Sequence, residues 1–282
     1  MTSLVRQSYG KHCVRVSKIK RHTDGTTHDF FEAAIDIELE GDFAAAYLDG
    51  DNRNVIATDT CRNTVYALAK DDAVESIESF TCRLANHFVA SYSHVDRATI
   101  TGRQKIWHRL NESPHGFIGN DTETPTCKVV ATRTDDTVAL TISPGISNCM
   151  ILKTTQSGFE HFHRDALRTL ADTSDRILAT NMTAHWIYLS GVSTNFNADR
   201  KSVREQLMAR FLDHYSRSVQ ETLYFMGQAV IASCDFVQSI TLTMPNKHHI
   251  KFNLEPLGRT NDNEVFVVTD EPFGFITATV GR

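Results

Sequence analysis

A run of polar side chains near the C-terminus, Asn246-Lys247-His248-His249, offers more chemistry than a turn requires. It supplies an amide, an ammonium and two imidazoles. Apolar and polar residues alternate before it, over 240–244, and after it, over 250–254, and Pro245 interrupts the pattern. This arrangement predicts a β-hairpin whose turn carries these groups. Because an unperturbed histidine titrates near pH 6.5, the turn is a candidate proton-transfer centre.

The start of a predicted helix at Ser218 is a second candidate. Ser218-Val219-Gln220-Glu221 matches a capping box, which places Val219 and Gln220 in the first turn. The backbone N–H groups of a first turn lack intrahelical partners, and the helix dipole favours an anion beside them. The turn is therefore a candidate anion receptor, although an ordinary capped helix explains the same pattern.

The elements that must position these groups follow one order in each half of the chain: strand, strand, helix, helix, strand, strand. Polar and apolar residues alternate over 31–40, so that strand has one packed face and one wet face. In the first half the strands are 11–20, 31–40, 94–110 and 125–142, with a turn at Asp24-Gly25; the helices are 61–70 and one begun by the capping box Asp72-Ala73-Val74-Glu75.

The second half repeats this order around a long insertion at 154–176. Its strands are 150–153, 177–189, the hairpin already described and a tail strand, 264–280, broken at Pro272; its helices are 198–215 and one from Ser218. Hairpin connections favour an antiparallel sheet with helices on one face, an α+β domain, twice. The uncovered sheet edges lead us to expect a symmetric oligomer.

Bulk composition excludes several classes of protein. Of 282 residues, 41% are hydrophobic and 22% charged, and the net charge is −5, which fits a folded soluble chain that binds neither nucleic acid nor membrane. No apolar stretch reaches the roughly 18 residues of a membrane span. The six cysteines form no C-x-x-C pair, so we expect reduced thiols in an intracellular protein.

Short motifs spread along the chain resemble those of the urate oxidase (uricase) family. Each motif is weak alone, but their order and spacing from Tyr9 to Gly281 are specific. The motifs are Tyr9-Gly10-Lys11, Val55-Ile56-Ala57-Thr58-Asp59-Thr60, Thr169-Leu170 with Asp175-Arg176-Ile177-Leu178, Ser218-Val219-Gln220 and Pro245-Asn246-Lys247-His248.

The resemblance implies a fold, an assembly and a reaction. It implies two tandem tunnelling-fold domains, 1–143 and 144–282, which assemble into a barrel-like homotetramer with active sites at subunit interfaces. The reaction is the oxidation of urate by molecular oxygen to 5-hydroxyisourate and hydrogen peroxide, with no cofactor and no metal. Family members are cytoplasmic in bacteria and peroxisomal in eukaryotes, and Gly281-Arg282 is not a peroxisomal address.

The resemblance also implies a catalytic relay of Lys11, Thr58 and His248. Taken alone, each residue has an ordinary explanation: Lys11 is a solvated charge, Thr58 a strand-end residue and His248 a surface histidine. If the residues lie close together, the Lys11 ammonium would favour the neutral form of the His248 imidazole, which is the better base. The threonine hydroxyl both donates and accepts hydrogen bonds, as a relay requires.

The remaining implied residues bind the substrate. Arg176 grips the polar edge of the purine with a guanidinium fork, and Phe159 stacks on its ring. Asn246 holds oxygen or water above the ring, and Asp59 caps the helix at Cys61, accepts a substrate N–H, or does both. The implied substrate-binding set is Thr58, Asp59, Phe159, Arg176, Val219, Gln220 and Asn246.

Two alternatives remain open at this point. His161 and His163 lie close to Phe159, and with His12 and His249 they suggest zinc in a metal-dependent purine or pterin enzyme, such as a cyclohydrolase. In an extended segment the first two imidazoles would point to the same side, but no cysteine or carboxylate stands at ligand spacing. The other alternative is a protein that binds purines without turnover.

Overall fold

The computed structural model describes residues 2–22, 25–71, 73–135 and 137–282. The chain divides into two compact units, Met1–Gly145 and Ile146–Arg282. In each unit helices pack on an antiparallel sheet over a separate hydrophobic core, which confirms the predicted α+β class. The predictions for Asp24 and Asp72 concern residues outside those described. None of the described helices is both long enough and apolar enough to cross a membrane.

The first unit is an antiparallel sheet in the order β1-β2-β3-β5, with β4 on β3. A further strand, β6, begins in this unit and ends in the next. The elements are β1 Tyr9–Arg21, β2 His28–Gly41, α1 Ala44–Leu48, α2 Thr58–Asp71, α3 Ile77–Ser91, β3 Val95–Arg109, β4 Phe117–Asn120, β5 Thr124–Thr134 and β6 Thr137–Lys153.

The alternation predicted for β2 is confirmed, because Ile35, Ile37 and Leu39 are completely buried and the intervening residues are partly exposed. Helix α3 begins later than expected. Ser76 is its N-cap and exchanges hydrogen bonds with Ser79, whereas Val74 has a φ of 46° and lies before the helix. The serine pair supplies the reciprocal cap that was predicted to begin at position 72.

The second unit orders its sheet as β7-β8-β11, with β9 paired to both β7 and β10. Its core packs α4 and α5 on the sheet around the fully buried Trp186. The elements are β7 Leu178–Tyr188, α4 Phe196–Leu212, α5 Val219–Ser233, β8 Val237–Thr243, β9 Asn246–Lys251, a 3₁₀ turn Glu255–Leu257, β10 Phe266–Gly274 and β11 Thr277–Gly281.

The predicted hairpin turn at residues 244–249 is wrong. Both β8 and β9 run antiparallel to β7. Strand β8 pairs with the second half of β7, and β9 pairs with β7 at Ala179 and Thr180. Strand β9 therefore continues the direction of β8 past Pro245, which cannot donate to the sheet ladder. The chain reverses at 252–265 instead, and β10 and β11 return along β9 and β8. Alternating residues on both sides of a break fit either arrangement.

Three other strand predictions need correction. The tail strand is interrupted at 275–276 and not at Pro272, which lies within β10. The segment 125–142 is two strands, because β5 ends at Thr134 and β6 starts at Thr137. Asp135 has a φ of 49°, a turn conformation that Asp tolerates better than most residues. The predicted short strand 150–153 is the end of β6.

Candidate functional site

A cleft of about 390 Å³ in the second unit brings together four of the predicted site residues: Phe159, Arg176, Asn246 and His248. One wall comes from the insertion and the other from β9. Its volume lies at the small end of the range of about 300–1,000 Å³ that is usual for small-molecule sites. The cleft therefore suits a compact ligand.

The insertion has no helix or long strand, so hydrogen bonds to neighbouring segments hold it in place. Phe159 exchanges backbone hydrogen bonds of 2.7 and 3.1 Å with Thr173, and the Gly158 N–H donates to the Ser216 carbonyl at 2.8 Å. A Cβ at Gly158 would collide with the Tyr215 hydroxyl and lie 2.9 Å from the Thr173 carbonyl oxygen, so a larger residue there would force its neighbours to shift. These contacts fix the backbone on which the Phe159 ring stands.

Arg176 is a partly buried cation without a carboxylate partner among the described residues. Its N–H donates to the Ser157 carbonyl at 2.9 Å, and its Nε reaches the Ser157 hydroxyl at 3.4 Å. The neighbouring Asp175 carboxylate is engaged by Thr155 at 2.8 Å and Asn263 at 3.1 Å. Burial lowers the pKa of Arg176 from its ordinary value. A partly buried guanidinium without a carboxylate partner favours an anionic ligand.

The Phe159 ring contacts two side chains, Phe162 and Arg176. It stacks on Phe162 with ring centroids 4.9 Å apart and planes 10° apart, and the Arg176 guanidinium lies 5.2 Å from its centroid. Phe162 was not predicted as a site residue. Its only sequence signal is an aromatic residue three positions after Phe159, a spacing that means little without knowledge of the backbone.

Asn246 and His248 occupy alternate positions of β9 and therefore point to the same face. The Asn246 Nδ2 lies 3.5 Å from the His248 Nδ1. The intervening Lys247 points the other way and pairs with Asp270 at 2.8 Å. His249 Nδ1 lies 3.3 Å from the Lys247 carbonyl. The side chains of His248 and His249 therefore point to opposite faces of β9, although both residues line the cleft.

The start of α5 confirms half of the predicted capping box. The Ser218 hydroxyl accepts the Glu221 N–H at 3.1 Å, but the Glu221 carboxylate accepts the N–H of Arg217, at 3.0 Å, rather than that of Ser218. Val219 is buried and Gln220 is exposed. Neither belongs to the residues that line the 390 Å³ cleft in the described chain.

A buried polar network lies behind α5 and the insertion. Thr222 donates to the Ser216 Oγ at 2.6 Å, and the Ser216 hydroxyl donates to the Ser218 carbonyl at 3.0 Å. His214 Nε2 lies 3.0 Å from the Thr222 hydroxyl, and Lys153 donates to the His214 carbonyl at 2.9 Å. Because Gly158 also bonds to Ser216, this network ties the first turn of α5 to the segment that holds Arg176.

The other predicted residues, Lys11, Thr58 and Asp59, lie in the first unit. Lys11 lies on β1 opposite the buried Ile37, on the side of the sheet that carries α2. Burial raises the pKa of the Cys61 thiol in α2 to about 11, and the Lys11 ammonium opposes that rise. Lys11 therefore reaches the first turns of the helix that Thr58 begins.

Asp59 does not cap a helix at Cys61, because α2 already begins at Thr58. Its carboxylate instead pairs with Arg62 at 2.7 Å and accepts from Asn63 at 3.2 Å. The segment before the helix is held by Tyr9, whose hydroxyl accepts the Ile56 N–H at 2.8 Å. The backbone leading into Thr58 is thus anchored to β1.

The histidines considered for zinc are not grouped. Among the described residues, no cluster of three or more His, Cys, Asp or Glu side chains is placed to hold a metal ion. His161 has a φ of 58°, so the segment is not extended there. The expectation that His161 and His163 share a side depended on an extended segment, and it fails for that reason.

Fold and cleft together define an α+β protein in which a partly buried cation and an aromatic ring share one cleft. Comparison with known families is more specific: the Uricase family model matches residues 7–130 and 142–277. The curated uricase of Arthrobacter globiformis is 38% identical, over 99% of this chain and 90% of the relative. That of Dictyostelium discoideum is 36% identical, over 100% of this chain and 98% of the relative. The chain belongs to the uricase family.

Solved structures give the same result. The crystal structure of uricase from Arthrobacter globiformis matches with a TM-score of 0.94 at 38% identity, over 100% of this chain and 96% of that chain. The crystal structure of a uricase from Bacillus fastidious matches with a TM-score of 0.83, over 98% of this chain and 93% of that chain. Its sequence identity is 21%, so this match shows the fold alone. The predicted family and fold class are confirmed.

Proposed function

We propose that this protein oxidises urate with molecular oxygen and no cofactor. The balanced reaction is urate plus O₂ plus water giving 5-hydroxyisourate plus hydrogen peroxide. The observation that carries the proposal is the cleft in which Arg176, without a carboxylate partner, lies beside the Phe159 ring in a chain of the uricase family. Urate is a planar anion at neutral pH and matches both groups.

In this proposal the second unit binds the purine. The guanidinium fork of Arg176 meets the polar edge of urate bidentately, a geometry that a lysine ammonium does not reproduce. Phe159 stacks on the ring, while the Val219 N–H and the Gln220 amide complete the receptor at the positive end of α5. Asn246 holds oxygen or water above the ring. Fixing the purine in one orientation lowers the entropic part of the barrier.

The relay of Lys11, Thr58 and His248 moves protons. Removal of a second proton makes the urate dianion, which is electron-rich enough to pass electrons to O₂. Two electrons pass from the dianion to O₂, which takes up the proton held by the relay and one proton from water and leaves as hydrogen peroxide. The relay then directs a water to the oxidised ring; the water oxygen forms the new C–O bond of 5-hydroxyisourate, and its released proton passes to the relay. A relay of this kind contributes typically about 10²–10⁴-fold to a rate.

The proposal includes an assembly. We propose that residues 1–143 and 144–282 are tandem tunnelling-fold domains and that four chains form a tetramer. Lys11, Thr58 and Asp59 of one chain would join Arg176, Gln220 and His248 of another. Chains carrying Lys11→Ala and chains carrying His248→Ala, refolded together, should then regain part of the activity. Mixed tetramers that form and stay inactive would refute the shared site.

The activity itself is tested by mixing the protein with urate in air and following urate absorbance and oxygen uptake together. Both should fall in parallel. A cyclohydrolase-like enzyme predicts stoichiometric metal whose removal abolishes turnover. A binding protein predicts thermal stabilisation by urate with no oxygen uptake.

A further inference from the structure

The pairing of β1 with β2 is irregular beside Lys11. Lys11 faces Ile37 and Val14 faces Ile35, so the two residues between them, His12 and Cys13, both oppose the single residue Asp36. One extra residue in one strand of an antiparallel pair is a β-bulge. It begins immediately after a residue of the proposed relay.

The bulge decides which side of the sheet Lys11 faces. Residues directly opposite each other on paired strands share a face, and both Ile35 and Ile37 are completely buried against the helices. Lys11 and Val14 therefore share the helix side. In a regular strand, residues three apart lie on opposite faces. Without the bulge, burial of Val14 would turn Lys11 away from α2.

A carboxylate holds the bulge. Cys13 has a φ of 56°, in the left-handed region that residues other than glycine disfavour. Its N–H donates to the Asp36 Oδ1 at 2.7 Å. Arg103, on β3, donates to both carboxylate oxygens, at 2.7 and 3.1 Å. A side chain thus accepts the N–H that an ordinary ladder would give to a backbone carbonyl.

Charge strengthens this arrangement. Burial alone would raise the pKa of Asp36, but the hydrogen bonds from Arg103 and from Cys13 hold it below its ordinary value. Asp36 is therefore a carboxylate at neutral pH, and both of its bonds are charge-assisted. Gly10, on the other side of Lys11, is also constrained, because a Cβ there would collide with the Ile37 carbonyl.

We propose that Asp36, clamped by Arg103, is a positioning residue for urate oxidation: it fixes the bulge at His12 and Cys13 and so directs Lys11 toward the first turn of α2. This inference rests on the proposed function, because it requires Lys11 to belong to the proton relay. Asp36 needs no contact with urate in this role.

The first test is Asp36→Ala, assayed for kcat and KM with urate in air. We expect kcat to fall at least about tenfold, as small misplacements of catalytic groups do, with KM changed less than about threefold. The matched control is Asp29→Ala. Asp29 also lies on β2 and pairs with an arginine of β3, Arg109, at 3.2 Å, but at the far end of the strand. Its kcat should stay at the parental value.

Two further variants keep the test decisive. The amide oxygen of Asp36→Asn still accepts the Cys13 N–H, so this variant should have a higher kcat than Asp36→Ala. If Asp36→Ala does not fold, Asp36→Asn is tested in its place. Cys13→Gly suits a positive φ and should retain kcat. Full activity in Asp36→Ala, or equal losses in Asp36→Ala and Asp29→Ala, would overturn the inference.

A double-mutant cycle separates this inference from the proposed relay. Lys11→Met alone should lower kcat. Adding Asp36→Ala to it should cause no further loss, because Asp36 acts only through Lys11. Additive losses would refute the positioning role while leaving the relay intact. Unchanged kcat in Lys11→Met would refute the relay, and with it the reason for the role of Asp36.

Discussion

Replacing Arg176 by methionine should change binding and stability in opposite directions. Arg176 is partly buried beside Phe159, and no carboxylate among the described residues pairs with it. In the free protein its charge is therefore poorly compensated. With urate bound, the same charge acquires an anion. Methionine keeps much of the apolar stem and removes the charge.

The loss in binding follows from the hydrogen bonds removed. Two hydrogen bonds to a charged group contribute about 1.5–3 kcal/mol each, or roughly 3–5 kcal/mol together when they share one guanidinium. At about 1.4 kcal/mol per factor of ten, KM for urate should rise about 10²–10³-fold.

The change in stability follows from the free state. Removing a partly buried cation that has no carboxylate partner among the described residues gains about 1–3 kcal/mol, whereas losing the contact with the Phe159 face costs about 0.5–1 kcal/mol. The net gain of about 1 kcal/mol corresponds to a rise in Tm of about 2–4 °C without urate. Urate should then raise the Tm of the variant far less than that of the parent.

Steady-state kinetics and thermal melts with and without urate measure both effects. Arg6→Met is the control, since Arg6 lies in the first unit in an exposed ion pair with Glu40 at 2.9 Å. It should leave KM unchanged. If Arg176→Met changes KM less than about threefold, or lowers the urate-free Tm by several degrees, Arg176 is a structural cation and not an anion receptor.

Three further predictions concern neighbouring groups. His248→Gln should lower kcat about a hundredfold, while His249→Gln, on the opposite face of β9, should stay within about twofold; equal losses would refute the assignment. Ser218→Ala should lower the unfolding free energy by about 0.5–2 kcal/mol in chemical denaturation and raise KM, because it loosens the first turn of α5; unchanged stability would show that the cap is dispensable. Burial and the Lys153 ammonium hold the pKa of His214 below its ordinary value in the folded protein. As pH falls, the His214 imidazole of the unfolded chain is therefore protonated at a higher pH than that of the folded protein. Tm should therefore decrease from pH 7 to pH 5, and His214→Gln should flatten the decrease; an unchanged slope would exclude His214 as its source.

Sequence patterns predicted those features of the fold that depend on residues close together in the chain. The alternation in β2 required one buried face, and Ile35, Ile37 and Leu39 supply it. The Ser218 cap was predictable because its partner is the N–H of Glu221, three residues along the chain. The order of the family motifs predicted the site residues, which no single residue reveals.

Features that depend on distant partners were not predictable in this way. The arrangement of β8 and β9 depends on where each meets β7, and alternation alone is the same for a hairpin and for an interrupted strand. The bulge at Cys13 needs Asp36 on another strand, and the stack of Phe159 on Phe162 needs the positive φ of His161 between them. These contacts join residues whose spacing carries no signal.

The stoichiometry of the reaction, measured on chelator-treated protein without added cofactor, tests whether the protein oxidises urate with oxygen alone. Urate loss, oxygen uptake and hydrogen peroxide formation should be recorded in the same sample. We expect equal molar amounts of all three and an unchanged rate after chelation. Urate that is consumed only when metal is restored, or oxygen that is consumed without peroxide, would contradict this expectation.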